Sequence, residues 1–69
     1  MTKREANKLG VGDQFKRPST NGHDNGWRIY SILTSLPDGG FQTEDQHGYR
    51  ANHNPSVDMS FLKQCEVMK

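Results

Sequence analysis

The sequence predicts a small all-β domain of five short strands. Gly26-Trp27-Arg28-Ile29-Tyr30-Ser31-Ile32-Leu33 is an aromatic and β-branched run holding the only Trp and both Ile residues of the chain. A turn of Leu36-Pro37-Asp38-Gly39-Gly40 follows, and Phe41-Gln42-Thr43-Glu44 returns from it. The remaining apolar segments are short and bounded by Gly, Pro, Asn and Asp. A core built from so little material has to be organised around this hairpin.

Taken in order, residues 1–9 read as a short N-terminal helix or a flexible tail, and residues 10–69 as the barrel domain. Thr2-Lys3-Arg4-Glu5 has capping-box spacing, in which the Thr hydroxyl accepts from the Glu5 N–H and the Glu carboxylate reaches back to Thr2. Such a helix runs to Leu9 and stops at Gly10. In Val11-Gly12-Asp13-Gln14-Phe15-Lys16-Arg17, alternation puts Val11 and Phe15 on one face, where both plug the core. Pro18 ends that strand, and Ser19–Gly26 carries no apolar residue, so it is a solvated loop.

In the next strand Trp27 and Ile29 share a parity and are expected inside. A bulge near Tyr30-Ser31 would return Ile32 to their side, leaving Arg28 and Tyr30 on the outer face. Asp45-Gln46-His47-Gly48 is a tight turn with Gly48 at positive φ. Tyr49–His53 forms the fourth strand, Asn54-Pro55 breaks it, Ser60–Gln64 makes one helical turn, and Cys65–Met68 closes the sheet.

With 69 residues the chain is one domain, near the lower limit for a core without staples, so self-association is one way to complete it. A lone cysteine, Cys65, makes no intramolecular disulfide, which favours a reducing, cytoplasmic setting. The first residues are charged with no apolar run behind them, unlike a signal peptide. No stretch nears the ~20 apolar residues of a membrane span. Charge is bipolar: six basic against three acidic residues in 1–30 (+3), three against five in 31–69 (−2).

Catalytic and metal chemistries find little footing. His23, His47 and His53 have no zinc-ligand spacing among themselves or with Cys65. Cys65 sits beside Phe61 and Leu62, the surroundings of an inert buried thiol. Glu44 and Asp45 are sequential, so on a strand they face opposite sides and cannot act on one bond. Gly22-His23-Asp24-Asn25-Gly26 lacks the Lys and following helix of a phosphate loop. No catalytic residue, metal or cofactor is therefore expected.

Two binding surfaces remain. The long polar loop offers Arg17, Asn21, His23 and Asp24, continued by Arg28 and Tyr30 on the following strand, as a site for a partner protein. Alternatively Lys16, Arg17, Arg28 and Tyr30 have the basic-plus-aromatic texture of RNA or single-stranded DNA binding.

Val11-Gly12-Asp13-x-Phe15, Trp27-x-Ile29-x-x-Ile32, Gly40-Phe41 and Phe61-Leu62-x-x-x-Glu66-Val67 resemble the core and turn positions of SH3-like barrels, over roughly residues 10–68. Together they look like the compact SH3-like accessory proteins of phages and other mobile elements. That resemblance implies a non-enzymatic module that docks on a host protein and modulates or inhibits it. The Val11-Gly12-Asp13 opening is also similar to the plasmid-encoded, trimethoprim-insensitive dihydrofolate reductases. Their pore-lining Val-Gln-Ile-Tyr run is missing here, where Asn52–Met59 stands instead, and with it the residues that would bind substrate.

Overall fold

The computed structural model describes residues 1–68, and Lys69 lies outside them. The elements run α1 (Lys3–Asn7), β1 (Gln14–Pro18), β2 (Trp27–Ser35), β3 (Phe41–Asp45), β4 (Arg50–His53), α2 (Met59–Leu62) and β5 (Glu66–Met68). All five strands pair antiparallel in one sheet of order β4-β3-β2-β1-β5. This is a four-strand meander whose last strand returns to the first, the order of the SH3-like barrel expected from the sequence.

The register decides which side chains meet. Phe15 pairs with Tyr30 and with Val67, Tyr30 with Asp45, and Ile32 with Thr43. Directly opposed residues point the same way, so Phe15, Tyr30, Ile32, Thr43 and Asp45 share the inner face. Phe15 is the hub: its ring stacks on Tyr30 at 5.1 Å and meets Phe41 edge-on at 6.0 Å. Leu62 and Cys65 close the core from the α2 side, and Ala6 joins from α1. Burial of each large apolar side chain stabilises by roughly 1.5–3 kcal/mol.

Two expectations about facing are thereby corrected. Trp27 is half-buried on the outer face, where the Lys16 ammonium lies 4.2 Å from its ring centre. Tyr30, expected outside, is 7% exposed. The cause is the bulge, which falls between Ile32 and Thr34 instead of at Tyr30-Ser31. Tyr30 and Ile32 therefore keep a common inward parity, and Trp27 and Ile29 take the other.

Val11 is a third correction. It is 67% exposed, because β1 starts only at Gln14. Residues 10–13 form a turn instead, in which Asp13 N–H donates to the Gly10 carbonyl at 3.0 Å and Gly12 sits at φ +92°.

The N-terminal segment is helical, with both arms of the predicted capping box in place: Glu5 N–H to Thr2 Oγ1 at 3.1 Å and Thr2 N–H to Glu5 Oε1 at 2.9 Å. It ends at Asn7, short of Leu9. The Met1 α-amine donates to the carbonyls of Leu62, Lys63 and Cys65, which ties α1 to the end of α2. Among the described residues, no helix is long and apolar enough to cross a membrane.

Candidate binding site on the β1–β2 loop

The loop between β1 and β2 is polar throughout, yet it has a defined shape. Ser19 N–H donates to the Gly26 carbonyl at 2.9 Å and closes its base. Asn21 Oδ1 accepts from His23 N–H at 2.9 Å, an Asx turn that bends the tip. Asn25 and Gly26 follow at φ 51° and 91°, successive left-handed residues that swing the chain into β2.

Asp24 pins the loop from beneath. Expected as an exposed contact residue, it is instead 3% exposed, which corrects its assignment to the partner surface. Oδ2 accepts from the Ser19 hydroxyl and from Arg28 Nε at 2.9 Å, while Oδ1 contacts His47 Nε2. The Ser19 hydroxyl, then His47 and Arg28, hold the carboxyl far below the usual range, against burial, which pushes the other way.

Arg28 extends the network. Its Nη1 reaches Asp45 Oδ2 at 3.2 Å, and Asp45 Oδ1 accepts from the backbone N–H of His47 (2.8 Å) and Tyr49 (3.1 Å). Asp24, Arg28 and Asp45 thus join the loop, β2 and the β3–β4 turn. Such buried ions persist only when paired and fully hydrogen-bonded, and here each carboxylate has three partners.

Above this network lies a cleft of about 210 Å³ lined by Asn21, His23, Arg28, His47 and Tyr49. Asn21, His23 and Arg28 are thus brought together as the sequence suggested. Tyr30 is not, being in the core, and Arg17 lies on the α2 side. There its guanidinium stacks over Phe61 at 5.4 Å, and Nε donates to the Tyr30 hydroxyl at 3.3 Å.

Lys16 faces the opposite side of the sheet, over Trp27. Lys16, Arg17, Arg28 and Tyr30 consequently form no single surface. Ser19, Asp45, His47 and Tyr49 were missed by the sequence reading. Ser19 reaches Asp24 within the loop itself, whereas Asp45, His47 and Tyr49 are brought to the loop by the pairing of β2 with β3, which no local spacing encodes.

Ser19 and His47 hydrogen-bond to different oxygens of one carboxylate rather than to each other, so the imidazole is not placed to take the serine proton. Cys65 is buried elsewhere, and burial pushes its thiol pKa up, away from the reactive thiolate. Among the described residues no group of three or more His, Cys, Asp or Glu is arranged to hold a metal ion. A larger groove of about 370 Å³ between α1 and β5 includes Leu9, Val67 and Met68 and none of the sequence-predicted residues. No family model matches this chain, and neither does any curated protein or solved structure.

Proposed function

We propose that this chain is a non-catalytic binding module that docks on a host protein and modulates it through the β1–β2 loop and the adjoining β3–β4 turn. One observation carries the reading: an exposed loop without a single apolar side chain is held in a fixed shape by the buried Asp24 carboxylate. A surface ordered before encounter avoids much of the entropy cost of binding. Distribution of the basic residues also favours a protein over a nucleic acid, since Lys16 and Arg17 lie on opposite faces and Arg28 is matched by two carboxylates.

Immobilised protein and a His23→Ala/Tyr49→Ala variant, both incubated with nuclease-treated lysate, test the proposal. Both residues are exposed, so the variant should keep its melting temperature. A protein retained by the parent and lost by the variant supports the reading. Equal retention, or none by either, counts against it.

A further inference from the structure

We infer that the free edge of β4 pairs antiparallel with β4 of a second copy of this chain, joining two sheets into one across a two-fold axis at Ala51. The inference goes beyond the binding-module reading above and does not depend on it. In the sheet order β4-β3-β2-β1-β5, β4 has a neighbour on one side only. Arg50, Ala51 and Asn52 are all exposed.

The register decides which backbone groups look outward. Asp45 N–H donates to the Tyr49 carbonyl at 2.9 Å, and down the ladder from there Thr43 opposes Ala51 and Phe41 opposes His53. Antiparallel pairs alternate between exchanging both backbone bonds and exchanging none. Tyr49, Ala51 and His53 therefore turn their backbone groups to β3, and Arg50 and Asn52 turn theirs to solvent. Past His53 the edge closes: Asn54 N–H donates to Asp58 Oδ2 at 2.8 Å, and Pro55 has no N–H to give. Two N–H and two C=O groups are left, placed evenly about Ala51.

That symmetry selects the occupant. With Ala51 on the axis, Arg50 lies opposite the partner's Asn52 and Asn52 opposite the partner's Arg50, so every outward group is paired and no like charges are opposed. Centring on Arg50 instead would set two guanidinium groups against each other. Centring on Asn52 would call on the Asn54 N–H, which Asp58 already holds. The side chain on the axis is a methyl, which suits a non-hydrogen-bonded pair, where Cα atoms approach to about 4.5 Å.

β4 also lacks a proline, a lysine and a bulge, devices that turn a second strand away from an edge. Its one charge, Arg50, is matched by Glu44 of its own β3 at 3.6 Å. The net charge of +1 per chain adds little repulsion between copies. A pairing over three residues is small, so association belongs in the roughly micromolar to millimolar range of weak interfaces.

Sedimentation velocity on the intact chain from about 10 μM to about 1 mM, with amide hydrogen exchange at both ends of that range, tests this. Expected is a mass rising from one chain to two, with the Arg50 and Asn52 amides exchanging several-fold more slowly at the higher concentration and those of Glu66–Met68 unchanged. Asn52→Pro deletes an outward N–H that makes no bond within the chain, a position where an edge strand tolerates proline. Ala51→Lys, at an exposed position, sets two ammonium groups against each other on the axis. Both variants should keep the circular dichroism spectrum of the parent and remain monomeric where the parent is dimeric.

A parent that stays monomeric to about 1 mM overturns the inference, as does a dimer formed equally well by Ala51→Lys. Concentration-dependent protection at β5 rather than at Arg50 and Asn52 also overturns it. Should either variant unfold, the exchange pattern of the parent decides alone. Neither substitution touches Asn21, His23, His47 or Tyr49, so capture of a lysate protein is read separately from the mass of the chain.

Discussion

Replacing Tyr30 and Trp27 separately by alanine measures which face of β2 holds the molecule together. Tyr30 is buried, stacked on Phe15 at 5.1 Å and 19°, and edge-on to Phe61 at 5.7 Å. Truncating a core aromatic costs about 3–5 kcal/mol. A chain of 69 residues has roughly 3–10 kcal/mol in total, so Tyr30→Ala is expected to be largely unfolded at 37 °C. Trp27 loses less, because it is half-buried and the Lys16 ammonium lies over its ring. The cation–π contact contributes about 0.5–1 kcal/mol, and partial burial about 1–2 kcal/mol.

Tyr30→Phe separates packing from the hydroxyl. It removes one 3.3 Å hydrogen bond with Arg17, worth about 0.5–1.5 kcal/mol, and lowers the melting temperature by roughly 4–8 °C per kcal/mol. Urea titrations followed by far-ultraviolet circular dichroism give all three values. Trp27→Ala proving as destabilising as Tyr30→Ala would refute the assignment of the inner face.

Asp24→Asn keeps the shape but turns one oxygen acceptor into a donor facing Arg28 or His47; the melting temperature should fall and a broad-specificity protease should cut the loop faster. Because the Asp24 carboxyl is held below its ordinary 3.8, its contribution is present above that pH and lost as pH drops beneath it, which acid titration of the parent but not of Asp24→Asn should show. Burial lowers the imidazole pKa of His53 below 6.5, partly opposed by Asp58. The unfolded chain therefore takes up the proton first, and urea midpoints should fall as pH drops below about 6.5, a limb that His53→Phe removes. Cys65 should react slowly with a thiol reagent in the native protein and fast in denaturant. Gly40→Ala would drive a methyl into the His53 carbonyl oxygen, a backbone atom, and should cost about 1–3 kcal/mol by the denaturation midpoint.

What was legible in the sequence was local. The Thr2–Glu5 capping box, the Gly48 turn and the strand succession depend on neighbours within a few residues, and all are found. Facing was not legible. Trp27 and Ile29 outweigh Tyr30 on any hydrophobicity argument, but the position of a bulge, which composition does not encode, gave the inner face to Tyr30. Asp24 reads as one more polar loop residue. Ser19, Arg28 and His47 converge on it; the first two are near in sequence, but His47, and the Asp45 that holds Arg28 from the other side, arrive only once β2 and β3 have paired in register. The site was half-visible for the same reason: the loop could be recognised as excess, whereas its partners across the sheet could not.

The pairing of β5 with β1 also orders the history of the molecule. Strands β1 to β4 are joined by turns between sequence neighbours, but β5 reaches the sheet by setting Gln14 beside Met68, over only three register pairs. Closing so long a loop for so few contacts is the costliest entropic step of assembly. On this entropic ground that strand is the last to anneal and the first to fray, and its departure removes Val67 from beside Phe15 while the meander stays paired. Amide hydrogen exchange is accordingly expected to be faster in β5 than in β2 and β3, at an opening free energy below that of global unfolding.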